Sequence, residues 1–174
     1  MGAGTLVSGP LYRFLADDHR RLEALLANAT ARPGVIDPVP YAEFRAGLLK
    51  HIGMEEKILL PAAQRWRGGE PLPVAATLRR DHGAIAALMV PSPTPQIIAT
   101  LRVIFEQHNI IEEGPSGLYE VCEQLAGGEL DAIVERLRKA PDVPVAKHVD
   151  GPQIMDATRR ALARGGYELV DASG

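Results

Sequence analysis

The sequence predicts an all-α protein: an antiparallel, up-down four-helix bundle followed by a C-terminal helical extension. Three observations carry this. Four runs repeat apolar residues in alternating steps of three and four, the period of a buried helical face. Proline and glycine clusters punctuate the runs at their ends. Aromatic residues make up only 5% of the chain, and Val and Ile do not gather into alternating stretches, which argues against a β-sandwich. The 174 residues suit one domain of about 150 residues with an appendage. A chain of that length buries a full core without disulfides.

The first run extends from Pro10, a residue suited to a first helical turn, to about Asn28, with Leu11, Leu15, His19, Leu22 and Leu26 on one face. Residues 31–40 form a loop by composition. The second run, from Tyr41 to Trp66, aligns Tyr41, Phe44, Leu48, His51, Glu55, Ile58 and Ala62, and Gly68-Gly69 ends it. The third, from Pro71 to Met89, presents Leu78, His82, Ile85 and Met89. It stops at Pro91-Ser92-Pro93-Thr94-Pro95, which cannot continue a helix. The fourth, from Gln96 to about Leu125, aligns Ile97, Leu101, Ile104, His108, Ile111 and Glu112, and ends at Gly127-Gly128. Pro61 and Pro115 should kink the second and fourth runs. Residues 1–127 are thus expected to form the bundle and 128–174 the extension. Within the latter, Glu129–Lys139 and Gln153–Arg164 read as amphipathic helices separated by a linker at 141–144. The extension is expected to pack on the bundle or on a second copy, forming a homodimer.

The formal net charge of −3 gives no electrostatic basis for nucleic acid or an anionic membrane as partner. No apolar run reaches the roughly 20 residues of a membrane span, and the amino terminus lacks a signal-peptide pattern. A single cysteine, Cys122, excludes an internal disulfide and fits a reducing cytoplasm. It reads as a small core residue.

Four of the five histidines fall one per predicted bundle helix, each within the apolar stripe. Two share a spacing: His51-Ile52-Gly53-Met54-Glu55 and His108-Asn109-Ile110-Ile111-Glu112. Residues i and i+4 lie on one helical face, so each imidazole and carboxylate can reach the same point. Glu56 and Glu113, turned about 140° from the histidine, are expected to face solvent. The sequence also repeats internally. Asp18-His19 and a later Ala-Leu pair match Asp81-His82 and its Ala-Leu pair, and His51 to Glu56 matches His108 to Glu113. Each half supplies a lone histidine and a His-x-x-x-Glu pair.

Burying these groups unpaired would cost several kcal/mol for each carboxylate, and metal is the simplest compensation. Six ligands exceed a tetrahedral zinc site. Imidazole with carboxylate in two equivalent halves suits two iron ions bridged by the carboxylates. Neither Glu-x-x-His nor His-Glu-x-x-His occurs, which removes the ferritin-like motif and the common zinc protease. Glu23 also follows His19 by four, but its counterpart is Ala86, so it reads as solvated or as a support to the ligands. Asp18 and Asp81 read as polar flanks rather than as imidazole acceptors. His148 has no carboxylate at helical spacing and reads as a tail residue. Tyr119 lies about 10 Å along a straight helix from Glu112, too far to join the cluster unless Pro115 bends the chain. Tyr12 and Trp66 read as packing residues.

Over residues 10–126 this pattern resembles the hemerythrin-like proteins, or HHE cation-binding domains, on His19, His51, Glu55, His82, His108 and Glu112 in that order. The resemblance implies a four-helix bundle around a non-haem di-iron centre with an oxo or hydroxo bridge, held by those six metal ligands. Another divalent metal can take the site on purification. Oxygen carriers of the family use a fifth histidine, absent here at the matching place, so the chain looks more like the bacterial four-histidine branch. That branch is associated with O2 or NO sensing, iron handling and repair of iron–sulfur clusters, so a metal-binding or sensing protein under oxidative or nitrosative stress is expected ahead of an enzyme. The alternatives are a di-iron enzyme acting on peroxide or nitric oxide, and a metal-free partner-binding bundle. Both ions are expected to keep an exchangeable position facing a dry pocket of Leu15, Leu22, Leu48, Leu78, Ile85, Ile104 and Ile111.

Overall fold

A computed structural model describes residues 9–171; residues 1–8, on which the expectation about a signal peptide falls, and 172–174 lie outside the described residues. All regular structure among the described residues is helical. Eight α-helices follow one another: α1 (Pro10–Ala29), α2 (Pro38–Met54), α3 (Leu60–Trp66), α4 (Ala75–Leu88), α5 (Pro95–Glu113), α6 (Leu118–Ala126), α7 (Leu130–Arg138) and α8 (Pro152–Gly165). A π-helical turn, Glu55–Leu59, joins α2 to α3, and a 3-10 turn, Gly127–Glu129, joins α6 to α7. No described helix is long and apolar enough to cross a membrane.

The helix starts follow capping chemistry. Proline opens α1, α2, α5 and α8, where its missing N–H costs nothing because first-turn donors have no partner in the helix. Asp37 caps α2 by accepting from the Val39 amide at 3.0 Å. Thr94 caps α5 by accepting from the Ile97 amide at 3.2 Å. The second helix therefore begins at Pro38 rather than at Tyr41, since Pro38 and Pro40 both fit a first turn. The third begins at Ala75 rather than Pro71, because Pro73 pushes Leu72 away from helical geometry.

Two of the four long runs are divided. In the second, Pro61 cannot donate to the carbonyl four residues back, and the turn before it widens. The Leu60 amide then bonds to the Glu55 carbonyl, five residues away. In the fourth, the expected kink is a complete break. Gly114 is extended at φ −66° and ψ 170°, as a residue before proline prefers, and the chain resumes a helix at Leu118.

α1 packs along α2, α4 against α5, and α6 against α1, α3 and α5. The apolar core forms two clusters. One gathers Leu11, Leu15, Met54, Leu59, Leu78 and Leu118, and the other gathers Leu22, Phe44, Leu48, Ile85, Leu101 and Ile104. Each fully buried side chain of this kind contributes about 1.5–3 kcal/mol. The four stripe histidines fall in sequence between members of the two clusters, so a polar layer divides them.

The C-terminal residues pack on their own chain. Ile133, Val134 and Leu137 of α7 complete the first cluster, and Leu162 of α8 joins the second. α8 lies along α4, with Thr158 donating to the Ala87 carbonyl at 3.3 Å. Buried Arg45 ties the intervening segment down, donating to the carbonyls of Met89 and Ala146 at 2.7 Å each. Asp150 accepts from the amide and the hydroxyl of Ser92 at 2.7 Å each. His148 stacks on Tyr41, away from the other histidines, with centroids 6.2 Å apart.

Candidate metal centre

The structure brings His19 of α1, His51 of α2, Glu55 of the π turn, His82 of α4, and His108 and Glu112 of α5 into one buried cluster. Glu55 and Glu112 have no exposed surface. Their donor atoms fall into two sets, each lying within 4.8 Å: His19, His51, Glu55 and Glu112, and Glu55, His82, His108 and Glu112. Both glutamates belong to both sets. Glu55 points Oε1 at His51 Nε2 (3.3 Å) and Oε2 at His82 Nε2 (3.1 Å). Glu112 points Oε2 at His19 Nε2 (3.3 Å) and Oε1 at His108 Nε2 (3.0 Å).

Every imidazole is fixed from behind by its Nδ1. His51 donates to Asp18 at 2.8 Å and His108 to Asp81 at 3.2 Å. His19 donates to Glu113 at 2.5 Å and His82 to Glu56 at 2.6 Å. Three sequence expectations are corrected here. Glu56 and Glu113 do not simply face solvent; they are three-quarters buried. A carboxylate turned from its own helix's histidine still borders the neighbouring helix, and there it reaches the back of that helix's imidazole. Asp18 and Asp81 are imidazole acceptors rather than flanks, each serving a histidine of the following helix. Tyr119 belongs to the cluster. The break between α5 and α6 turns its phenol back over Glu112, and Oη donates to Glu55 Oε1 at 2.7 Å. The break was signalled by Gly114-Pro115 and Gly117. A Cβ at Gly117 would lie 2.7 Å from the Glu112 and Gly114 carbonyls, so the tight return requires glycine. Glu23 stays outside, exposed, accepting from Asn109 at 3.4 Å. Cys122 is buried in the first apolar cluster, where burial pushes its thiol up to about 12.

The charges are strongly coupled. Burial alone would lower the histidines, but the carboxylates reverse it. His19 is carried to about 10 by Glu112 and Glu113, His82 to about 11 by Glu112, Glu55 and Glu56, and His108 to about 9 by Glu112 and Asp81. His51 rises for the same reason, through Glu55 and Asp18. Burial and Glu112 push Glu55 up, yet the imidazoles around it bring it down to about 2. Glu112 is likewise held far below the usual carboxylate range. Tyr119 is raised well above its ordinary value by burial and by both glutamates. Without metal, the cluster is a proton-filled ion network.

Donor chemistry tests whether metal fits. Glu55 Oε2, Glu112 Oε1 and His82 Nε2 are buried and have no hydrogen-bond partner among the described residues. Glu55 Oε2 and His82 Nε2 are nevertheless 3.1 Å apart. These buried polar atoms stand close together without hydrogen-bond geometry between them, an arrangement that suits a shared cation. Imidazoles anchored through Nδ1 to carboxylates present Nε2 as a ligand. The two buried groups can each hold a metal ion.

A cavity of ≈ 40 Å³ lies beside the cluster, lined by Leu22, Leu26, Phe44, Leu48, Ile85 and Phe105 and touching His19, His51 and His108. It shares Leu22, Leu48 and Ile85 with the expected pocket. Leu15, Leu78 and Ile111 instead pack in the cluster on the other side of the polar layer, and Ile104 is fully buried. The fold and site thus define an all-helical protein with a buried His/Glu cluster able to hold metal. No family model, curated protein or solved structure matches this chain.

Proposed function

We propose that this chain is a cytoplasmic hemerythrin-like protein. In this reading α1, α2 with α3, α4, and α5 with α6 run up and down as an antiparallel four-helix bundle around a carboxylate-bridged, non-haem di-iron centre. The observation that carries it is the pair of shared glutamates: each turns one oxygen to one histidine pair and the other oxygen to the second pair. Charge supports the same reading: six carboxylates surround four imidazoles, a concentration of negative charge that bound cations would offset. Mixed imidazole and carboxylate donors suit iron better than the all-oxygen shells of Mg²⁺ and Ca²⁺.

When bound, a pair of irons supplies reversible electron transfer and a coordination position for a small ligand. The chain's own residues set the conditions. Asp18, Asp81, Glu56 and Glu113 hold the Nδ1 protons and so fix which nitrogen faces the centre. Aliphatic and aromatic side chains make up most of the cavity lining, beside Glu23 and Asn109, and keep it largely apolar. About 10–15 Å³ holds one water, so ≈ 40 Å³ admits a neutral diatomic such as O2 or NO, and the apolar lining disfavours charged molecules.

The test is anaerobic loading with iron(II), metal analysis, and then mixing with oxygen, nitric oxide or peroxide. Two irons per chain and one stoichiometric spectral change support a binding or sensing centre. Repeated turnover of peroxide or nitric oxide would make it an enzyme, and failure to retain iron would remove the reading.

A further inference from the structure

Among the described residues, the neutral side chain whose polar atom enters the cluster is Tyr119, and it arrives from α6, beyond the break. Its Oη lies 2.7 Å from Glu55 Oε1, 3.1 Å from Glu112 Oε2, and 3.2 Å from both His19 Nε2 and His51 Nε2. These four residues make up one donor set; of the other, Tyr119 meets only the shared glutamates and neither His82 nor His108. Metal–ligand bonds of about 2.0–2.2 Å place neighbouring ligands of a six-coordinate ion about 3 Å apart. The edges from His51 Nε2 to Glu55 Oε1 and from His19 Nε2 to Glu112 Oε2 are each 3.3 Å. Oη therefore stands at neighbouring-ligand distance from all four atoms. A phenol serving only as a hydrogen-bond donor needs one acceptor, and Glu55 already provides it.

The second donor set is built differently. His82 Nε2, Glu55 Oε2 and Glu112 Oε1 have no hydrogen-bond partner among the described residues, and no tyrosine hydroxyl caps them. The internal repeat stops short of this feature: the break that returns Tyr119 follows Glu112, whereas the widened turn after Glu55 continues into α3.

We propose that Tyr119 is a protein ligand, through its phenolate oxygen, of the metal position formed by His19, His51, Glu55 and Glu112, and that the His82 and His108 position is the one left open to an exogenous ligand. The proposal rests on reading the cluster as a two-metal centre. Binding is an exchange without redox change: the cation takes the place of the phenolic proton now donated to Glu55, and that proton leaves to solvent with those of the imidazoles. A multiply charged cation favours the deprotonated oxygen.

Wild type and Tyr119→Phe are loaded with iron(II) anaerobically, oxidised with ferricyanide, and compared by metal content, visible absorption and resonance Raman scattering. Wild type is expected to hold two irons and to show a phenolate-to-iron(III) charge-transfer band with phenolate ring modes. Those modes shift when tyrosine is ring-deuterated. Tyr119→Phe should lose the band and yield one of its two irons to a chelator at least about tenfold more readily. Azide should bind once per wild-type centre and twice per Tyr119→Phe centre. Wild type with two irons and no phenolate modes, or two azides per wild-type centre, overturns the proposal and leaves the di-iron reading standing. Wild type that retains no iron overturns both. If the variant does not fold, the wild-type Raman result decides alone. Of the four tyrosines, Tyr12 bonds instead to the Glu113 carbonyl and Tyr41 packs in the second cluster, while Tyr167 is packed against that cluster.

Discussion

At the level of single residues, the cluster works because each imidazole is held from behind at Nδ1, which leaves Nε2 facing the two glutamates. Asp18→Asn and Glu113→Gln each weaken one Nδ1 grip without touching a donor atom of the two sets. Each is expected to weaken metal binding by about 10–100-fold, measured by chelator competition. Glu55→Gln and Glu112→Gln remove the charge of a shared carboxylate and should each abolish binding of a second ion; retention of two ions in either variant would remove the bridging role. Acidity follows from the same pairs. Histidines raised to about 9–11 stabilise the metal-free fold fully below their unfolded value near 6.5. That contribution is lost as pH rises through 9–11. Glu55, lowered to about 2, stabilises above its ordinary value and ceases to do so as pH falls toward 2. The metal-free melting temperature should therefore fall between pH 8 and 11, and again below pH 4, by circular dichroism. Metal competes with the same protons, so affinity should rise with pH across the neutral range, and calorimetry in buffers of different ionisation enthalpy should register proton release.

Among the elements, the two interrupted helices matter more than the regular ones. Periodicity made the stripes of α1, α2, α4 and α5 legible, and with them the six cluster residues, because a buried face imposes a fixed spacing. It could not reveal the acceptors behind the histidines. Asp18 serves His51, Glu113 serves His19 and Glu56 serves His82, and these contacts cross between helices where no local spacing records them. Tyr119 was hidden for a related reason. A straight helix would carry it away from Glu112, whereas Gly114, Pro115 and Gly117 turn the chain back. Gly117→Ala tests that junction: its Cβ would press on the Glu112 and Gly114 carbonyls. A loss of about 1–3 kcal/mol is expected, read from the urea midpoint, together with weaker metal binding as Tyr119 and Glu112 shift.

Taken whole, the molecule has enough apolar core to fold without metal. Removing metal should preserve helical circular dichroism while lowering the melting temperature, unlike zinc fingers, which unfold. The tail is part of that core. Truncation after residue 151 strips α8 from α4 and opens the second cluster at Leu162, so a lower melting temperature is expected even where light scattering reports a monomer.

The polar layer between the two apolar clusters also has a kinetic meaning. Hydrophobic cohesion does not pass through a sheet of charged groups, so each cluster can melt at its own rate, as a separate cooperative block. Cations shared by Glu55 and Glu112 would fasten the blocks together, turning two loosely synchronised halves into one unit that opens all at once. Amide exchange in Leu101 and Leu118, one on each side of the layer, would then become synchronous only when the chain carries its ions.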